Sequence, residues 1–320
     1  MKKRVYLGID TSNYTTSVAI VGADGELVAN LKRPLPVKSG ERGLRQSDAV
    51  FAHIKNLPSL MDEAREILSE CELLAVGVSE RPRNIEGSYM PCFLSGVAAA
   101  KSLVAPVGVP LYGFSHQCGH VMAAIYSSGA VLPEGVPFAA LHLSGGTSEL
   151  LRVTRSDSGF DCELVGGTRD LNAGQVIDRV GVSLGLPFPC GPHLEAFARN
   201  YSGKIYKKRP STDGTYMSLS GAENIAERLY ADTADKAAVA AFVFDYIGAA
   251  VEAICRAYVE KYGDTPFVFA GGVMCNSIIK SRLAASFGEA YFAELSMSAD
   301  NAVGIAVLTR ARHRKENGEE

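Results

Sequence analysis

Two stretches of the chain carry the same arrangement of apolar and polar positions. Tyr6 to Val21 reads as a β-rich run, a tight polar turn through Thr11, Ser12 and Asn13, and a second β-rich run; Ala139 to Val153 repeats this around Ser144, Gly145, Gly146 and Thr147. In each, a third strand follows a second turn: Leu27 to Leu31 after Ala23 to Glu26, and Cys162 to Val165 after Asp157, Ser158 and Gly159. A duplicated β-meander predicts two related lobes. Turns rich in hydroxyls and glycine, facing each other, make a phosphate clamp, so the expected site is an interlobe cleft.

Helical and strand-like periods alternate between and after the meanders. Val50, Ile54, Leu57, Leu60, Met61, Ala64, Ile67 and Leu68 recur at helical spacing and predict a helix from Ala49 to Cys71. A buried strand (Leu73 to Ser79), a small-residue helix (Leu94 to Val104) and a strand (Pro106 to Leu111) follow, which is α/β organisation. The second half offers an amphipathic segment from Asn172 to Leu184, a Pro/Gly elbow from Leu186 to Pro192, and a polar stretch, Tyr201 to Tyr216, with Lys204, Lys207, Lys208 and Arg209. The polar stretch is expected to be a surface excursion. A long helix (Thr233 to Tyr262), a strand (Pro266 to Ala270), Gly271, Gly272 and two further helices complete the pattern. The expected division is an N-terminal lobe over 1–130, on which a helix from 300–312 packs, a C-terminal lobe over 131–299, and a charged, frayed tail over 313–320.

Composition narrows the class. With 320 residues and 47% apolar content the chain can bury two sizeable cores. The net charge of −3 provides no global basic field, so a nucleic acid needs a local patch or a partner to hold it. Seven cysteines, an odd number with no C-x-x-C pair, and no leader-like start predict a reduced, cytoplasmic protein. Apolar stretches are broken by Gly, Pro or charge before the roughly 20 residues needed to cross a bilayer, so no membrane span is expected.

His116 and His120 stand at i and i+4, on one face if the segment is helical, the spacing that lets one metal ion take both. Position 117 is Gln, so the carboxylate base of an H-E-x-x-H peptidase is missing. Taken alone, the pair reads more readily as two ordinary histidines without a metal, because short motifs often match by chance. Asp300, just before the apolar run Ala302 to Leu308, is a third ligand candidate or simply a helix cap. Ser144 to Ser148 offers N–H groups and hydroxyls to a phosphate, or is a plain glycine hairpin. Gly271, Gly272 and Asn276, between strand and helix, bring backbone and a two-way amide close to a flat ligand. Asp178 is positioned to accept ribose hydroxyls, or is a solvated carboxylate beside Arg179.

Taken together and in order, these motifs resemble the TsaD family of tRNA threonylcarbamoyladenosine synthases, in the actin-like ATPase (ASKHA) superfamily with the sugar kinases. The resemblance runs from about Tyr6 to Arg310 and rests on Gly8 to Ser12, His116 with His120, Leu143 to Gly146, Asp178, Pro189 to Pro192, Ser218 to Gly221, Ala270 to Val273 with Asn276, and Asp300 with Asn301. It implies a two-lobed α/β fold of duplicated mixed sheets. It further implies one divalent metal (Fe, Zn or Mn) on His116, His120 and Asp300. ATP or threonylcarbamoyl-AMP would be held by Thr11, Ser12, Ser144, Gly145, Gly146, Thr147, Asp178, Gly191, Gly271, Gly272 and Asn276. The implied reaction passes the carbamoyl group to N6 of an adenosine next to the tRNA anticodon, with TsaB-like and TsaE-like protein partners. Three departures stand out. Tyr14 and Thr15 replace two acids of the family's first turn, leaving no certain catalytic residue. Thr147 and Ser148 stand where bacterial members have His and Thr, and Glu80 to Asn84, with Arg81 and Arg83, replaces a small-residue loop. The departures leave two other readings open: a paralogue that carbamoylates another amine, and an ATP-binding partner protein without turnover.

Overall fold

The computed structural model describes residues 2–12, 14–36, 44–133, 135–157 and 159–319. Asn13, Ser158 and Glu320, which belong to the two expected turns and the tail, lie outside the described residues. The chain forms two compact units, one of Met1–Ser127, Thr154–Cys162 and Met297–Glu320, the other of Ser128–Val153 and Glu163–Ser296.

The first unit opens with the antiparallel meander β1 (Lys3–Asp10), β2 (Thr15–Gly22) and β3 (Leu27–Pro34). Helix α1 (Gln46–Leu68), β4 (Cys71–Arg81), α2 (Phe93–Val107), β5 (Leu111–Ser115) and α3 (His116–Ser128) follow. The sheet order is β3-β2-β1-β4-β5, with β4 parallel to β1 and β5 parallel to β4. Leu57, Leu60 and Ala64 of α1 bury against Val5, Leu7, Ile9, Val18 and Ile20 of the sheet. Each such leucine contributes about 1.5–3 kcal/mol relative to exposure. Two boundaries differ from expectation. Cys71 pairs with Lys3 and starts β4 instead of closing the helix. Pro106 stays inside α2, which ends on Gly108 in the left-handed region (φ 74°), so β5 begins only at Leu111.

The second unit repeats the plan. β6 (Phe138–Leu143), β7 (Ser148–Ser156) and β8 (Gly159–Thr168) form its meander. Then come α4 (Ala173–Ser183), α5 (Gly191–Arg199), β9 (Ser211–Asp213), β10 (Tyr216–Ser218), α6 (Ser220–Thr233), α7 (Lys236–Tyr262), β11 (Phe267–Ala270), α8 (Ser277–Ser286), β12 (Ala290–Phe292) and the short α9 (Leu295–Ser298). In the sheet order β12-β11-β6-β7-β8-β10-β9, the run β8-β7-β6-β11-β12 has the topology of β3-β2-β1-β4-β5, including the two parallel strands beside the meander. The duplication seen in the sequence is therefore a duplication of sheets. The α5 and α6 helices and the β9–β10 edge pair were not expected. Among the described residues, helix α7 is long and apolar enough to cross a bilayer by length and composition. Its side chains, among them Phe242, Phe244, Ile247, Val251 and Ile254, are buried in this unit's core.

Helix α10 (Val303–Glu316) returns the chain to the first unit, where Ala302, Val303 and Ala306 pack on Ala19 and Val21 of β2. The approach is at backbone level: a Cβ on Gly304 would collide with the Gly119 carbonyl of α3, and one on Gly8 with the Ala302 carbonyl. The helix continues through part of the segment expected to fray. His313 meets the Tyr6 hydroxyl at 3.3 Å, and Glu316 accepts from Tyr112 at 2.7 Å, which hold its last turns to the sheet.

Candidate metal centre and nucleotide-binding turns

The carboxyl ends of the parallel strands β1, β4 and β5 carry Asp10, Glu80 to Arg81, and Ser115 followed at once by α3, so one face of the first two turns of α3 presents His116 and His120 there. Their rings lie edge to face, centroids 4.3 Å apart. Asp300, just ahead of α10, brings Oδ1 to 3.2 Å from His120 Nε2 and 3.6 Å from His116 Nε2. One donor atom from each of the three falls within 4.8 Å of the others. Two imidazole nitrogens and a carboxylate oxygen are donors of the kind that a divalent transition metal takes, so the three could hold one.

Asp10 completes the arrangement, and it was not singled out from sequence. Its Oδ2 lies 2.8 Å from His116 Nδ1, while Oδ1 accepts from the Ser12 N–H at 2.8 Å and the Ser79 hydroxyl at 2.9 Å. A carboxylate on Nδ1 leaves Nε2 as the ligand atom and fixes the ring's orientation, the usual support for a metal-bound histidine. The residues present therefore fit the ion. The available signal was a carboxylate closing a strand whose preceding residues Val5 to Ile9 are all buried.

The charges follow. Burial works against a charged His116, but the Asp10 carboxylate, by charge and by hydrogen bond, and then Asp300 outweigh it and raise its pKa to about 8. Asp300 is opposed by burial, yet the His120 hydrogen bond, the two imidazoles and the Tyr14 N–H hold it well below the usual carboxylate range. Asp10 is likewise lowered against its burial, by His116 first. Nearby, burial pushes His53 down to about 4, against the pull of Asp10 and Asp300. Its Nδ1 meets the Thr16 hydroxyl at 2.9 Å.

The first turn is thus divided in its roles. Ser12 Oγ is buried with no hydrogen-bond partner among the described residues, whereas the Thr11 hydroxyl is engaged, donating to Cys92 O and accepting from Gly96 N–H at 3.0 Å each. Tyr14 offers its N–H to Asp300 Oδ2 at 3.5 Å while its side chain is 46% exposed; Thr15 opens β2. Arg81 pairs with Glu80 and donates to Asn84 Oδ1, and Asn84 in turn donates to Phe160 O and Cys118 Sγ.

In the second unit Ser144 to Thr147 and Gly271, Gly272 and Asn276 follow the carboxyl ends of the parallel pair β6 and β11, where open α/β sheets bind ligands, whereas Asp178 lies on α4 and Gly191 opens α5. Ser144 to Thr147 turn between β6 and β7. The N–H groups of Gly146 and Thr147 both point to Ser144 Oγ, at 3.3 and 3.0 Å, and Gly145 and Gly146 border open space. Gly174 N–H reaches Ser144 O and Ala173 N–H reaches Ser148 Oγ, so α4 starts against this turn. Gly271 (φ 94°) sits where a Cβ would collide with the Leu143 carbonyl, which ties the β11 turn to the β6 turn, and Gly272 faces open space. Two side chains have structural duties that sequence did not reveal. Asn276 Oδ1 caps α8 by accepting from the Ile278 and Ile279 N–H groups, so its cap role falls on the oxygen and not on the NH₂. Asp178 accepts the Cys190 N–H at 2.8 Å, beside Gly191 at the start of α5, while Arg179 pairs with Glu223 instead.

Two solved structures share this architecture. One is the activator of 2-hydroxyisocaproyl-CoA dehydratase from Clostridium difficile with bound ADPNP, at 14% identity and TM-score 0.53, covering 99% of this chain and 98% of that one. The other is a ROK family glucokinase from Streptomyces griseus in complex with glucose and AMPPNP, at 15% identity and TM-score 0.53, covering 96% and 99%. With the repeated sheet topology, they show that the fold is the actin-like (ASKHA) fold. The chain belongs to the TsaD family, tRNA N6-adenosine threonylcarbamoyltransferase, whose model matches residues 38–307. A relative of that name from Streptococcus suis (strain 05ZYH33) is 32% identical over 99% of this chain and 95% of its own length.

Proposed function

We propose that this chain transfers a threonylcarbamoyl group from threonylcarbamoyl-AMP to N6 of an adenosine beside the tRNA anticodon, with a divalent metal on His116, His120 and Asp300. The observation that carries the reading is the convergence of these three donors, with Asp10 behind His116, in a member of the TsaD family. Bound there, the ion supplies positive charge against the phosphates of the AMP leaving group. Asp10 keeps His116 Nε2 directed at the site. The Tyr14 N–H holds the far oxygen of Asp300, and the unpartnered Ser12 hydroxyl is available to a phosphate oxygen. In the second unit, Ser144 to Thr147 serve the phosphate, Asp178 and Gly191 the ribose, and Gly272 with the Asn276 NH₂ the adenine. The proposed setting is the cytoplasm, with TsaB-like and TsaE-like proteins as partners.

A second reading concerns the acceptor alone. The exposed side chain of Tyr14 and the adjacent Thr15 stand where family members place acids, and proton removal from a weakly basic amine needs a positioned base. A different amine is then the natural acceptor. Release of AMP from threonylcarbamoyl-AMP separates the two: the first reading expects release that depends on unmodified tRNA. Release driven by small amines and indifferent to tRNA would replace it with the second.

A further inference from the structure

From Ala196 to Thr212 the chain carries five cations, Arg199, Lys204, Lys207, Lys208 and Arg209, and no carboxylate, in a protein of net charge −3. All five are exposed. The segment has little regular structure after α5, yet it is pinned. Tyr201 and Ile205 pack on the core of the second unit, and the Tyr201 hydroxyl donates to Lys204 O at 3.1 Å. The Tyr206 ring meets Phe242 edge-on at 5.7 Å, Lys207 pairs with Asp245, and Ser211 N–H reaches the Tyr246 hydroxyl at 3.4 Å. Phe242, Asp245 and Tyr246 span about one turn of α7, so the strip is fastened along that helix. Asp245 also receives Arg282 at 3.0 Å, so one carboxylate answers two cations and the strip keeps its positive charge. Two aromatic side chains stand among these cations, Phe197 36% exposed and Tyr206 49% exposed.

Cations at close spacing bind a polyanion, and exposed aromatic faces among them favour one whose bases can stack. We propose that the strip from Phe197 to Arg209 is a docking surface for an unpaired stretch of RNA, with phosphates on Arg199, Lys204, Lys208 and Arg209 and bases against Phe197 and Tyr206. The partner rests on the reading of tRNA as acceptor; the surface is the new claim. Pinning matters because cations already ordered along α7 lose less freedom on binding than a floppy basic tail would.

The test is RNA binding without any carbamoyl donor, measured for the full chain with unmodified tRNA over a range of salt concentrations. A Lys204→Gln, Lys208→Gln, Arg209→Gln variant should flatten the slope of log affinity against log salt by about 2, given roughly 0.7 per lost phosphate contact. A Lys55→Gln, Lys101→Gln control, neutralising exposed cations of α1 and α2, should leave it unchanged. Phe197→Ser should weaken binding about tenfold at an unchanged slope, because stacking carries no counterion release. Circular dichroism checks that each variant folds. An unchanged slope in the triple variant overturns the surface, as does a parent chain that binds no RNA, or a triple variant that loses only an acidic protein partner. Failure of the transfer reading looks different: the parent binds RNA with the expected slope yet modifies none. Modification by the parent together with an unchanged slope in the triple variant sinks the surface and spares the reaction.

Discussion

His116 turns one nitrogen to Asp10 and the other to the proposed metal position, and in this account that division sets how the site responds to pH. The same contact that orients the ring raises its pKa to about 8, so below that value a proton competes with the ion for the imidazole. Metal affinity of the apoprotein should therefore rise by up to about tenfold per unit as pH increases to 8, then level off. Titration calorimetry at several pH values reads this directly, and a constant affinity from pH 6 to 8 would contradict it. Asp10→Asn should weaken metal binding about 10–100-fold and move the levelling-off to lower pH, while His116→Ala or His120→Ala should lose the metal with the fold intact. His53 works in the opposite sense. Its folded pKa is depressed to about 4 from 6.5, so the unfolded chain takes up a proton first, and the stability it confers is present above pH 6.5 and lost as pH falls towards 4. His53→Gln should flatten that part of the urea-midpoint profile; an unchanged profile would place the acid sensitivity elsewhere.

Helix α3 and the segment leading into α10 bring the proposed ligands His120 and Asp300, 180 positions apart, to one place, and the contact of α3 with α10 is made by glycine. Gly304 lies against the Gly119 carbonyl, one residue before His120 and four after Asp300. Gly304→Ala should cost about 1–3 kcal/mol through overpacking and should also lower metal affinity, because relief of the clash moves α10, and the Asp300 that precedes it, away from the histidines of α3. Unaltered metal binding in a clearly destabilised variant would show that Asp300 is positioned by its own loop instead. This contact explains what the sequence could and could not reveal. The meanders, α1, α2, α4 and α7 were legible because their apolar positions follow periods of 2 or 3.6, and the i, i+4 histidines were legible for the same reason. Helices α5 and α6 were missed because each buries only two residues, Leu194 and Ala198 or Ala222 and Ala226, too few to mark a period. The joining of Asp300 to the histidines, and of Asp10 behind them, is a tertiary fact with no local pattern. The resemblance supplied Asp300, and nothing but the fold supplied Asp10.

At the scale of the molecule, two units with the same sheet plan carry different proposed duties: the proposed metal ligands at the carboxyl ends of β1, β4 and β5, and the proposed nucleotide turns, rich in glycine, at those of β6 and β11. If these duties are separate, Asp178→Ala should weaken AMP more than its 2′,3′-dideoxy analogue while leaving metal content unchanged, since the hydrogen bonds lost exist only with the intact sugar. An equal loss for both ligands would confine Asp178 to holding the Cys190 N–H. Restoring acids by Tyr14→Asp with Thr15→Glu should raise transfer to tRNA if orientation of the attacking amine is the weak step, and do nothing if the acceptor is a different amine. The central claim is tested most directly by the mass of the product. The metal-loaded chain is incubated with isotopically labelled threonylcarbamoyl-AMP, unmodified tRNA and its partner proteins, and the tRNA is digested to nucleosides. The account predicts labelled threonylcarbamoyladenosine from the parent chain and none from the His116→Ala, His120→Ala double variant; no labelled adenosine from a parent that binds the adenylate, or equal amounts from both proteins, would contradict it.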